Sequence, residues 1–117
     1  MYYLANSYYY TGRYNEARKY FEKFLKKSKD PVLLPGAAIG IADTYAEERN
    51  YYLAAQKYLS CYEKFKNSPV APIALYRAAH CYEILGNYEL ADSLRRIILN
   101  DYKDSYIAEE VKKFAKY

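Results

Sequence analysis

Three stretches of the chain decide its reading: residues 4–17, LANSYYYTGRYNEA; residues 41–54, IADTYAEERNYYLA; and residues 78–91, AAHCYEILGNYELA. They superpose without a gap at a spacing of 37 residues. Ala5, Ala42 and Ala79 share one column, and Ala17, Ala54 and Ala91 another. Tyr8, Tyr45 and Tyr82 form a third, and Tyr14, Tyr51 and Tyr88 a fourth. Gly12 and Gly86 align with Arg49 between them, Pro35 with Pro72, and Ser68 with Ser105. A period between about 20 and 50 residues marks a solenoid or array. The columns place units at 1–31, 32–68 and 69–104.

Each unit reads as two helices. In the first, Leu4, Ala5 and Tyr8 mark one stripe and Gly12–Arg13 the turn. Tyr14, Ala17, Tyr20, Phe21, Phe24 and Leu25 then repeat at helical spacing. The second helices of the later units carry Tyr51, Ala54, Tyr58, Cys61, Tyr62 and Phe65, and then Tyr88, Ala91, Leu94, Ile98 and Leu99. Small side chains on two facing helices let the axes approach closely, so the Ala columns mark the crossings. The six column tyrosines are expected to pack between helices and units. Asp30 and Ser68, each before a proline, and Ser105 supply helix caps. Lys26, Lys27 and Lys29 suit a helix C-terminus as solvated charges. Residues 105–117 read as a final capping helix, with Lys112 and Lys116 where the third unit has Leu75 and Ala79.

At 117 residues, with 52% hydrophobic and 27% charged, the chain is one globular domain's worth of material. Eighteen basic and 14 acidic residues, interspersed, leave only +4, too mild an excess to announce nucleic acid. Two Cys exclude a disulfide scaffold and a four-thiolate zinc site, and a single His restricts acid–base chemistry. There is no phosphate-binding Gly loop, C-x-x-C, H-E-x-x-H or nucleophile elbow. Cys61 and Cys81 read as buried small hydrophobes, with a disulfide between adjacent helices as the alternative. The chain is therefore expected to be no enzyme and to need no metal or cofactor. Residues 1–10 show no basic-then-apolar leader, and the longest uncharged apolar stretch, Val32–Ala42, is too short to span a membrane. A cytoplasmic location follows if Met1 is the natural start. The first helix starts late relative to the other units, so upstream sequence is expected, and a signal or anchor there would place the protein in the periplasm or cell envelope.

These columns resemble the tetratricopeptide repeat. Its apolar-small-x-x-Tyr, Gly, Ala-x-x-x-aromatic pattern is met by Leu4-Ala5-x-x-Tyr8, Gly12 and Ala17-x-x-x-Phe21. The later units offer Ile41-Ala42-x-x-Tyr45 with Ala54-x-x-x-Tyr58, and Ala78-Ala79-x-x-Tyr82 with Gly86 and Ala91. Departures are the missing Trp, Arg95 at an aromatic position, Arg49 at a turn Gly, and a period longer than about 34. The long units and the Asn67-Ser68-Pro69 and Asp104-Ser105 junctions resemble a branch found in bacterial cell-envelope assembly proteins, the outer-membrane assembly lipoproteins and Tol–Pal accessory proteins. The resemblance implies an all-α, right-handed superhelix of three helical hairpins plus a C-terminal capping helix. It also implies a concave groove lined by the first helix of each unit.

By that resemblance the groove residues are Tyr2, Asn6, Tyr9 and Tyr10, then Ile39, Asp43 and Glu47, then Tyr76, His80 and Glu83. The set is rich in Tyr, which offers contact area, a hydrogen-bonding tip and few torsions to freeze. Family members that grip a terminal carboxylate use Lys, Arg and Asn; only Asn6 matches, so no such clamp is expected. The leading expectation is a module that binds a peptide or helix of a partner protein. The alternatives are self-association through exposed terminal repeats and RNA binding by Tyr stacking, against which Asp43, Glu47 and Glu83 stand.

Overall fold

The computed structural model describes residues 1–114. Every element among them is helical: α1 (Tyr2–Tyr10), α2 (Tyr14–Lys27), α3 (Leu34–Glu47), α4 (Tyr51–Lys64), α5 (Val70–Ile84), α6 (Tyr88–Asp101) and α7 (Tyr106–Phe114). Consecutive helices pack on one another, so each second helix lies between its own first helix and that of the next unit. This is a helical-repeat superhelix, elongated to 41 × 28 × 20 Å.

The alanine columns are the crossings. Ala5, Ala42, Ala79, Ala17, Ala54 and Ala91 are all fully buried. Close approach takes a second form at the first unit boundary. A Cβ on Gly40 of α3 would lie 2.7 Å from the ring of Phe21, which is itself 1% exposed. There the missing side chain leaves room for a ring of the preceding unit.

The hairpin turns repeat one hydrogen-bonding scheme. Gly12, Arg49 and Gly86 take left-handed backbone at φ 80°, 62° and 86°. The residue after each donates its N–H five residues back, to the Tyr8, Tyr45 and Tyr82 carbonyls at 2.8, 2.9 and 2.8 Å. That is the Schellman closure of a helix end. Arg49 adopts this conformation with a Cβ, a strained choice where the other two units use Gly. Asn50 and Asn87 then cap the second helices, each side-chain oxygen accepting the N–H three residues on, from Leu53 and Leu90.

Asp30 and Ser68 cap the turns that lead into α3 and α5 rather than the helices themselves, which start at Leu34 and Val70 without a side-chain cap, whereas Ser105 stands directly before α7. Asp30 Oδ1 accepts from the Val32 and Leu33 N–H groups, Ser68 Oγ from Val70, and Ser105 Oγ from Ala108. In α7, Ile107, Ala108 and Val111 are buried while Lys112 is exposed. Lys116, the other polar position assigned to the cap, lies outside the described residues.

Five of the six column tyrosines are half-buried. Tyr8 stacks on Tyr20 at 5.5 Å, and the Arg18 guanidinium lies 4.4 Å over Tyr45. Tyr88 corrects the expectation, being 64% exposed. It opens α6.

The core falls into two clusters. The larger runs through the second and third units into α7; the smaller gathers Ala5, Ala17, Phe21, Ala37 and Ile41 around the first unit boundary. Arg18 also bridges that boundary, donating to Thr44 Oγ1 at 3.1 Å and pairing with Glu48 at 2.6 Å. Cys61 and Cys81 are buried free thiols, as the simpler of the two readings had them.

Candidate functional site

The first helices lie side by side, with α3 touching both α1 and α5. Between them is an open pocket of about 290 Å³ lined by Tyr9, Asp43, Ala46, Glu47, Tyr58 and Arg77. Three of these come from α3, where spacings of three and four residues put Asp43, Ala46 and Glu47 on one face. Tyr9 enters from α1, Arg77 from α5 and Tyr58 from α4.

Asp43 is the hub. It accepts a short hydrogen bond from the Tyr58 hydroxyl and a pair from Arg77 Nη1, at 3.0 and 2.8 Å. One carboxylate thus joins α3, α4 and α5. Its side chain is 20% exposed. Burial raises its carboxyl above the ordinary range, against the opposing pull of Arg77 and the hydrogen bonds. Burial, and then the Asp43 charge, also push the Tyr9 and Tyr58 hydroxyls upward. The same two causes raise the Cys61 thiol to about 12 and the Cys81 thiol to about 11. Both thiols are thus held away from the reactive thiolate form.

Glu47 is held more loosely. Its Oε1 accepts from the Tyr9 hydroxyl at 3.4 Å, a long bond, and the residue is exposed. Tyr10 stands beside Tyr9, ring edge to ring face at 5.2 Å, and is 81% exposed.

Of the ten residues assigned to the groove, the pocket unites Tyr9, Asp43 and Glu47, with Tyr10 beside them. His80 is exposed on α5, and Tyr76 is half-buried against the larger core. Glu83 is engaged by Arg95 at 2.6 Å. Asn6 donates back to the Tyr2 carbonyl within its own helix. Tyr2 turns its ring into the first core cluster, 5.4 Å from Phe24. Ile39 is 9% exposed and belongs to the larger core.

Arg77 and Tyr58 were not foreseen as part of this surface. Tyr58 falls in a column with Phe21 and Arg95, a second-helix position whose ring belongs to the core. Only its hydroxyl reaches through to Asp43. Arg77 shares a column with Tyr3 and Gly40, and no spacing rule separates it from an ordinary solvated charge.

Among the described residues no group of His, Cys, Asp and Glu is arranged to hold a metal ion, and no helix is long and apolar enough to cross a membrane. A family model, the tetratricopeptide repeat, matches residues 1–31. No curated protein matches the chain, so the narrower cell-envelope resemblance has no relative behind it.

Proposed function

We propose that the chain, whose residues 1–31 match the tetratricopeptide-repeat model and whose helices repeat that hairpin architecture throughout, binds a peptide or helix of a partner protein along its first-helix face, as proteins of that family generally act as protein-interaction modules. The observation that carries this reading is the pocket of Tyr9, Asp43, Ala46, Glu47, Tyr58 and Arg77. It combines aromatic area with polar groups fixed before any partner arrives. Asp43 and Arg77 are locked together across two units, which spares a ligand the cost of ordering them. Glu47 and Tyr10 stay accessible to a partner. The chain itself does no chemistry in this reading; its thiols and tyrosines here are all pushed toward their protonated forms.

The test is affinity capture from the source organism with the native chain beside a Tyr9→Ala, Tyr10→Ala, Glu47→Gln, His80→Ala variant. Asp43 is left intact because its loss would strand Arg77 and the Tyr58 hydroxyl. A protein retained by the native chain and lost by the variant, with circular dichroism unchanged, supports the groove. Equal capture by both moves the binding surface elsewhere.

A further inference from the structure

The two core clusters part at a definite place. Between α2 and α4 lies a cleft of about 340 Å³, floored by α3. Leu25 and Ile41 on its lining belong to the smaller cluster, and Cys61 to the larger, with Ala38 and Phe65 packed against it. Lys57, Lys64 and Glu22 stand exposed at its rim.

The next unit boundary shows what is missing. Moving the lining residues on by 37 positions turns Ala38 into Leu75, Lys57 into Leu94, Ser60 into Ile97 and Cys61 into Ile98, against one apolar residue that becomes smaller, Ile41 to Ala78. Leu75, Leu94 and Ile98 are buried in the continuous core there, and Ile97 packs against it. The same architecture is thus filled at one boundary and left open at the other, by small or polar residues at matching positions. An apolar cleft of this size loses packing contacts unless something occupies it.

The charge on its walls is one-sided. Helices α2 and α4 together hold seven basic and three acidic side chains, with Lys57, Lys64 and Glu22 on the cleft itself, whereas α4 and α6, the matching pair at the next boundary, hold four and four. We infer that this cleft is a second docking site, on the second-helix face, for an apolar side chain carried by an acidic helix of a partner protein. The apolar side chain would complete the core between the clusters, and flanking carboxylates would meet Lys57 and Lys64. The site is separate from the first-helix groove and does not depend on it.

The test titrates isotope-labelled chain with synthetic amphipathic helical peptides bearing one central Leu flanked by Glu, followed by NMR at Leu25, Ala38 and Ile41. Controls replace the Leu by Ala, or the Glu residues by Lys. The expected result is saturable shifts at those three residues, with affinity weakened roughly tenfold or more in either control. Ala38→Leu with Ser60→Ile, which installs bulk as at the second boundary, should abolish binding while melting at or above the native temperature. Lys57→Glu with Lys64→Glu alters only exposed positions and should transfer the preference to the Lys-flanked peptide. Undiminished binding to the filled variant, no preference between Glu and Lys flanks, or no shifts at millimolar peptide would overturn the inference. So would concentration-dependent shifts at the cleft without peptide, which would make a second copy of the chain the occupant.

Discussion

Alanine substitution at two glycines of α3 separates close packing from helix propensity. In a helix interior Gly→Ala gains about 1 kcal/mol of propensity. At Gly40 the new Cβ would sit 2.7, 2.8 and 3.1 Å from three ring atoms of Phe21. That ring is 1% exposed and rigid, so relief requires helix α2 or α3 to shift. Overpacking of this kind costs about 1–3 kcal/mol, so the net expectation for Gly40→Ala is a loss of about 1 kcal/mol. For a chain of this length that is a fall of about 4 °C in Tm. At Gly36 the Cβ meets the Tyr2 hydroxyl at 2.5 Å, the tip of a half-buried ring packed on Phe21 and Phe24 that can tilt outward more readily than the buried Phe21 ring. Gly36→Ala should therefore lie within about 0.5 kcal/mol of neutral or stabilise. Thermal and urea melts of both single variants, and of Gly40→Ala combined with Phe21→Leu, complete the assay. The smaller Leu should relieve the clash, giving a favourable coupling of about 0.5 kcal/mol or more. A Gly40→Ala chain that melts above native, or no coupling to Phe21→Leu, would refute the close-approach argument.

Other outcomes follow from the same geometry. Arg49→Gly should stabilise by about 1 kcal/mol by relieving its left-handed strain, and Gly86→Ala should cost about as much although nothing lies within 4 Å of the added Cβ; urea melts read both. Asn50→Ala and Asn87→Ala should each lose about 1 kcal/mol of cap, measurable the same way. Asp43 has a folded pKa above its ordinary 3.8, so its contribution to stability is present below that value and is lost as pH rises through the folded pKa. The stability of the native chain minus that of Asp43→Asn should therefore fall as pH rises across this window, and a rising difference would contradict the burial argument. With thiols pushed to about 12 and about 11, Cys61 and Cys81 should resist a thiol reagent at pH 8 until denaturant unfolds the chain.

What the sequence made legible was whatever repeats. The alanine columns mark six fully buried crossings because a helix crossing tolerates only a small side chain, and that demand recurs in every unit. Asn50 and Asn87 also stand 37 residues apart, and their capping role was readable from that spacing. It was masked because the first unit has Arg13 there and makes no side-chain cap. Tyr88 shows the limit of column logic: the same residue type in the same column is half-buried in the first two units and exposed in the third. The candidate surface was half legible. Tyr9, Asp43 and Glu47 follow from their place on the first helices. Arg77 and the Tyr58 hydroxyl depend on how deeply a side chain reaches between helices, which differs from unit to unit. The cleft at the first boundary came from comparing what is absent in one unit with what is present in the next.

The most direct test of a partner-binding first-helix face is site-specific photo-cross-linking in the source organism. A photoreactive residue would replace Tyr10, 81% exposed beside the pocket, or Arg96, exposed on α6 away from it. The account predicts a discrete protein adduct from position 10, absent at position 96 and lost when Glu47→Gln and His80→Ala are added. Adducts from position 96 but not from position 10, or from neither, would contradict it.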